Sequence, residues 1–180
     1  MARCPPMLAI FFDNVFLLLP LLGGGIVHGL VMKRNWLPWL ARPIDGGRSL
    51  GGVRWFGDNK TWRGPTCLGL GAALVFALEA SPAWLPFGFA YGFVAMLGEL
   101  PNSFLKRRVG IAPGAGGGGR FAWFFYLYDQ VDLLVAVLPF WWWLGKLSVP
   151  HVALALLLVT VIHQLVSSIA FRLGIRKTPR

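Results

Sequence analysis

Long apolar runs separated by short polar stretches set the pattern of this chain, and five stand out, at about 7–32, 65–80, 85–103, 121–145 and 148–171. The runs are continuous rather than alternating, which predicts helices and not barrel strands. A helix needs about 20 apolar residues to cross about 30 Å of hydrocarbon. The pattern therefore predicts an all-α, polytopic integral membrane protein with five transmembrane helices in a single membrane domain, 1–180. The second run is short and is expected to begin inside Thr61–Gly64. The third follows Ser81-Pro82-Ala83-Trp84, a tight turn without a cation, so runs two and three form a helical hairpin. Only Arg3 precedes the first run, which continues well past a short signal-peptide core without a small-x-small cleavage site. It reads as a retained first span.

Composition agrees: 56% of the 180 residues are hydrophobic and only 13% are charged, against roughly 25% charged in soluble domains. Charge then orients the spans. Of seventeen Lys+Arg, all but Arg3 and Lys146 fall in the loops 33–63 and 104–120 or in the tail after 171. With five crossings these three regions share one side, which the positive-inside rule makes the cytosol. The expected topology has the N-terminus outside and the C-terminus cytosolic, as a multi-pass protein of the cell membrane. A net charge of +10 fits orientation and contact with anionic membrane lipids. Nucleic acid is excluded as a partner, since there is no soluble basic face to carry it, and no protein partner is implied. Cys4 and Cys67 are too few and too far apart for a disulfide scaffold or a zinc site. Gly110–Gly119 reads as a flexible loop, and Gly25/Gly29 and Gly88/Gly92 have close-packing spacing. Trp36, Trp39, Trp55 and Trp62 suit one interfacial belt, with Trp141 to Trp143 in the other.

Three polar blocks interrupt this apolar scheme. The first is Gly57-Asp58-Asn59-Lys60-Thr61-Trp62-Arg63-Gly64, set against the start of the second run. Helix N-termini favour anions, because their first N–H groups lack intrahelical partners and the macrodipole adds positive character. Lys60 and Arg63 beside such an end describe a phosphate seat at the membrane surface. The second block is Asp129 and Asp132, inside the fourth run. Carboxylates in a span are costly and mark a pathway or a site. Their i, i+3 spacing puts both on one helix face, and hard oxygens so arranged suit Mg²⁺, which takes one or two carboxylates plus substrate phosphates. The plainer alternative is that each aspartate pairs with an arginine and holds the bundle together. Asp129 lies roughly 8–12 Å into the helix at 1.5 Å per residue, just under the headgroups, where a water-soluble and a lipid-anchored reactant meet. The third block is Pro101-Asn102-Ser103-Phe104-Leu105-Lys106-Arg107-Arg108. Its three cations alone read as snorkelling topology markers; Asn102 and Ser103 before them shift the reading towards phosphate contact. Glu99 is a further acid or a partner for one of these cations.

Weaker signals stay in the background. His28, His151 and His163 are scattered without metal-ligand spacing and read as packing or hydrogen-bonding residues, and Asp13, Asn14 and Gln164 are candidates to line a cavity. Asn59-Lys60-Thr61 matches a glycosylation sequon, but on the expected cytosolic face it would not be modified. Together the three blocks describe Mg²⁺-dependent phosphoryl or nucleotidyl transfer, in which metal and cations neutralise charge on phosphorus oxygens.

Taken in order, Gly57–Gly64, Pro101–Arg108 with Gly110 and Pro113-Gly114, and Tyr128-Asp129-Gln130-Val131-Asp132 resemble the archaeal CDP-archaeol synthases. These sit in the superfamily that includes the phosphatidate cytidylyltransferases. The resemblance implies transfer of CMP from CTP to an archaeal ether lipid phosphate, 2,3-di-O-geranylgeranylglyceryl phosphate, with release of pyrophosphate. It further implies Mg²⁺ on Asp129 and Asp132, phosphate contacts from Lys106 and Arg107, and Asn102 and Ser103 near the nucleotide. Asp58, Asn59, Lys60, Thr61 and Arg63 would complete the CTP wall, with Lys60 joining Lys106, Arg107 and the aspartates in catalysis. The chain departs from the bacterial pattern, which places a Lys-Asp pair and a His-Gly-Gly turn between the last two blocks; the run through Pro113-Gly114 and four glycines favours the archaeal branch. A membrane transporter or channel for a phosphorylated anion is the alternative, and it requires a polar path through the outer half, which is strongly apolar beyond Asp13 and Asn14.

Overall fold

The computed structural model describes residues 6–113 and 121–172. Cys4, Gly114, the run Gly116 to Gly119 and the cations Arg3, Arg120, Arg176, Lys177 and Arg180 lie outside them. The described chain is mostly helical: α1 (Met7–Lys33), α2 (Arg63–Glu79), α3 (Leu85–Leu97), α4 (Glu99–Arg108), α5 (Ala122–Trp143) and α6 (Val149–Arg172). Among the described residues, four helical stretches are long and apolar enough to cross a membrane: Met7–Lys33, Pro82–Arg108, Ala122–Trp143 and Val149–Ile169. The second expected span, α2, starts at Arg63 as anticipated, but has 17 residues, about 25 Å at 1.5 Å each. It falls short of the length that the other four reach.

Pro101 explains why the third span is two pieces. It has no N–H to give the Leu97 carbonyl four residues back, so the α3 ladder stops at Leu97 and α4 restarts after Gly98. The expected boundary at 103 moves accordingly, since Lys106, Arg107 and Arg108 are helical rather than part of the loop. Gly98 is also a close-approach point. A Cβ there would sit 2.6 Å from the Asp132 carbonyl oxygen on α5.

α2 lies along both α1 and α3, the hairpin with α3 forming as expected. Small residues set these approaches. A Cβ on Gly92 would meet the Leu68 carbonyl at 2.5 Å, and one on Gly88 would meet Ala73 Cα at 2.7 Å. On α1 the contact glycines are Gly23 and Gly24, which face Val75, Leu68 and Gly71 on α2, whereas Gly25 and Gly29 face open space. The expected Gly25/Gly29 packing pair is therefore displaced by one helical step. The core includes Leu17, Leu68, Phe76, Tyr91, Leu134 and Trp141, drawn from α1, α2, α3 and α5. Trp141 is fully buried, donating at 2.8 Å to the Tyr91 hydroxyl, which donates in turn to the Leu17 carbonyl oxygen at 2.8 Å. Only Trp142 and Trp143 of the expected belt trio are exposed.

The loop 33–63 departs from the all-α expectation. Ser49–Leu50 (β1) and Val53–Arg54 (β2) form a two-stranded antiparallel hairpin. Its turn is Gly51-Gly52, both at positive φ (59° and 76°), the conformation that a two-residue hairpin with matched twist demands. An isolated bridge ties Pro43 to Thr61. The opposite end of the bundle is closed by a polar cluster. Lys146 Nζ lies 2.9 Å from Asp13 Oδ1, and His151 Nε2 lies 3.1 Å from Asp13 Oδ2, with Ser148 Oγ 2.7 Å from His151 Nδ1. Asn14 is buried and donates to the Ile10 carbonyl oxygen. Asp13 and His151 are thus paired with each other, while Asn14 Oδ1 is buried without a partner among the described residues.

Candidate active site

The site forms where α4 crosses α5. The close approach at Gly98 brings Asn102 and Lys106, one turn apart on α4, against Asp129 on α5. Asn102 Nδ2 donates to Asp129 Oδ1 at 2.5 Å, and Lys106 Nζ donates to Oδ1 at 2.5 Å and to Oδ2 at 2.7 Å. The ammonium also lies 5.8 Å from the centre of the Phe125 ring, a cation–π contact that helps fix it. Asp129 is half exposed, whereas Asp132 is buried at 5% and accepts from the Leu133 backbone N–H at 2.8 Å. The aspartates therefore share a face but not an environment. The first is partly exposed and paired with a lysine, and the second is enclosed.

Two guanidinium groups are drawn inward. Arg107 is buried at 7%, with Nε and Nη1 lacking hydrogen-bond partners. Arg63 is buried at 5%, its Nη1 donating to Asn35 Oδ1 at 3.1 Å while Nε has no partner. Buried donors are normally satisfied, so these unpaired cationic atoms suit an anion. Ser103 and Asn102 are buried between them in sequence, and Asn102 Oδ1 is likewise without a partner.

The octapeptide divides. Lys60 pairs with Glu99 on α4, so Glu99 partners a loop lysine and not one of its own helix's cations. Thr61 is held by its bridge to Pro43. Asp58 is 81% exposed and pairs outward with Arg54 at 2.7 Å, and Asn59 is exposed beside Gly57. Of the expected CTP wall of Asp58, Asn59, Lys60, Thr61 and Arg63, Lys60 and Arg63 turn towards α4 and the core, while Asp58 and Asn59 face outward. A short turn explains this. Gly57 (φ +99°) reverses the chain, with Pro113 Cγ 2.7 Å from where its Cβ would be, and the next two side chains are thrown outward.

Asp45, which belongs to none of the three polar blocks, organises this turn. It is 4% exposed and accepts from the backbone N–H groups of Gly47, Phe56 and Gly57 and from Arg54, whose Nη2 approaches to 2.6 Å. Burial by itself would raise its pKa, but the Arg54 hydrogen bond and the three amides overcome that and hold the carboxyl well below the usual range. The Asp45-Gly46-Gly47 turn signal was the available clue.

Among the described residues no three His, Cys, Asp or Glu side chains form a metal cage. The donor set still fits Mg²⁺, which needs only one or two protein carboxylates when phosphates complete its shell. Among the described residues no cation pairs with the Asp132 carboxylate, and Asn102 Oδ1 offers a further hard oxygen. Lys106 occupies both oxygens of Asp129, so a metal there shares or displaces that lysine.

The model of the CarS-like family, CDP-archaeol synthase, matches residues 83–180. That region holds α3 to α6 and hence Asn102, Lys106, Arg107, Asp129 and Asp132. The CDP-archaeol synthase of Halobacterium salinarum is 38% identical over 159 residues, covering 77% of this chain and 83% of the relative. The chain belongs to the CDP-archaeol synthase family. The Archaeoglobus fulgidus CDP-archaeol synthase is 33% identical over 207 residues, covering 96% and 99% of the two chains, so the likeness takes in the loop 33–63 too. A solved structure described as an intramembrane enzyme for archaeal membrane lipids biosynthesis superposes with a TM-score of 0.61 at 26% identity, covering 88% of this chain and 94% of the other. Membership in the CDP-archaeol synthase family makes this a membrane enzyme, a CTP-using cytidylyltransferase of archaeal lipid synthesis.

Proposed function

We propose that the enzyme moves CMP from CTP to 2,3-di-O-geranylgeranylglyceryl phosphate in a Mg²⁺-dependent reaction at the cytosolic membrane surface. The observation that carries this reading is the crossing of α4 and α5, where Lys106 and Asn102 meet Asp129 beside the buried Asp132. A phosphate oxygen of the lipid attacks the α-phosphorus of CTP, the bond from that phosphorus to the bridging oxygen breaks, and pyrophosphate leaves with the electron pair. A phosphate monoester is already anionic near neutrality, so no general base is required. Lys60, Lys106 and Arg107 offset the charge on the phosphate oxygens, with Arg63 at the edge of the same region. Asn102 and Ser103 orient the nucleotide from α4. Asp129 and Asp132 would hold Mg²⁺, which supplies charge neutralisation and an in-line template when bound.

Five crossings support this placement best, with the N-terminus outside and the C-terminus in the cytosol in one membrane domain. α2, though short, is sheathed by α1 and α3, and tilt or local thinning accommodates a short span. The cations then cluster on the side that holds the site. The isoprenoid chains would lie in the bilayer, so the lipid phosphate and CTP approach from different phases. A conducting path is disfavoured, because the far-side polar groups Asp13, Lys146 and His151 are paired with one another.

Labelled CTP, Mg²⁺ and the ether lipid phosphate incubated with purified enzyme should yield a CMP-lipid and pyrophosphate in equal amounts, and none with EDTA. No product with any lipid phosphate tried sinks the substrate reading, and full activity in EDTA sinks the metal.

A further inference from the structure

The loop 33–63 is fastened to α4 at both ends of that helix. At its start, Lys60 pairs with Glu99. At its end, Arg108 donates from Nη1 to the Leu50 carbonyl oxygen at 2.7 Å, and from Nη2 to those of Val53 at 2.7 Å and Arg54 at 2.9 Å. One guanidinium thus grips three backbone carbonyls of the β1–β2 hairpin. A two-stranded ribbon of two residues per strand is not stable in water by itself, so these donors decide whether it keeps its shape. The Phe104 ring, 5.0 Å from the Arg108 guanidinium carbon, supports the grip.

The connection continues beyond the hairpin. Arg54 on β2 reaches Asp45 and Asp58, and Asp45 accepts the amides of Phe56 and Gly57. Gly57 opens the segment that carries Lys60, Thr61 and Arg63. The three consecutive cations of α4 therefore have three separate positions. Lys106 holds Asp129, Arg107 is buried with unpaired nitrogens, and Arg108 faces the hairpin.

We propose that Arg108 is a positioning residue that sets the Gly57–Gly64 segment over the aspartate pair through the hairpin and the Asp45 turn, and so governs CTP affinity without touching the nucleotide. This rests on the CTP reading above. A lysine cannot replace it, because a single ammonium lacks the planar fork that serves three carbonyls from two nitrogens. Asp45 acts on the same strap from its other end.

The test uses full-length enzyme in detergent micelles, with Arg108→Lys, Asp45→Asn and the double variant. Each single change should raise the KM for CTP about five- to twenty-fold, leaving the KM for the lipid phosphate within about twofold and kcat within about threefold. The double variant should be no worse than about the poorer single one, since both cut one connection. A second readout is independent of turnover: trypsin should cleave after Arg48 and Arg54 faster in both variants than in the unaltered protein. Unchanged CTP KM, equal rises for both substrates or multiplying effects overturn the positioning role, and unchanged cleavage overturns the strap. If unaltered enzyme moves no CMP while the variants are cleaved faster, the substrate reading fails and the proposed effect on CTP falls with it.

Discussion

Lys106 on α4 reaches both carboxylate oxygens of Asp129 on α5, at 2.5 and 2.7 Å. One turn further along α5, Asp132 is buried, and among the described residues no cation pairs with its carboxylate. The pair therefore consists of one acid already neutralised by the protein and one awaiting charge from elsewhere.

That difference makes Lys106→Met informative in two directions. Loss of a cation beside the reacting phosphates should lower kcat about 100-fold or more, the scale of removing one preorganised electrostatic contact. Freed from the lysine, Asp129 should bind metal more readily, so half-saturating Mg²⁺ should fall. A Mg²⁺ titration of initial rates checks both, and a rise in the Mg²⁺ requirement would contradict competition between lysine and metal.

Asp132→Asn should abolish turnover without weakening the fold. An acid enclosed without a counter-cation is a burden on stability rather than a support. The melting temperature in detergent is expected to hold or rise while CMP transfer disappears. Near-native activity with Mg²⁺ would rule out Asp132 as a metal ligand.

Arg107 supplies a similar contrast for the nucleotide. Its buried Nε and Nη1 have no partner, and an unsatisfied buried donor costs roughly 1–3 kcal/mol. Arg107→Met should therefore melt no lower than the parent, yet raise the KM for CTP about tenfold or more. A drop in melting temperature with unchanged KM would make Arg107 a structural residue.

Acid should loosen the Asp45 turn late. Because the folded pKa is depressed, its contribution is complete above the unfolded value of about 3.9 and is lost as pH falls through the lower folded value. Amide exchange at Phe56 and Gly57, corrected for intrinsic rates, should stay slow down to about pH 4 and accelerate below it. In Asp45→Asn that pH dependence should vanish.

Packing of the bundle can be tested at Gly71. A Cβ there would lie 2.6 Å from Gly24 Cα, backbone against backbone, so α1 and α2 must separate. Gly71→Ala should cost about 1–3 kcal/mol, read as a lower melting temperature. Gly25→Ala, where the space is open, serves as the control.

The apolar runs made the helices legible because a span must satisfy its own backbone and face lipid with apolar side chains along its length. The aspartates were legible for the opposite reason, as charges where the solvent is hydrocarbon. What went unread in the loop 33–63 was connectivity. Asp45 and Arg54 look like ordinary loop charges until the turns at Gly51-Gly52 and Gly57 bring them together. Asp58 and Asn59, expected in the CTP wall, are set facing outward by the Gly57 turn. The Gly25/Gly29 spacing suggested packing, but helix rotation placed Gly23 and Gly24 at the contact instead.

The sequence by itself thus determined the helical membrane class and the polar residue types set into it, because both follow from local composition and the bilayer. The tertiary structure decided which of those residues meet. It set Lys106 and Asn102 on Asp129, Lys60 on Glu99 and Arg108 on the hairpin, through the break at Pro101 and the close approach at Gly98. Such contacts depend on helix rotation and crossing, and those are settled only when whole faces pack together.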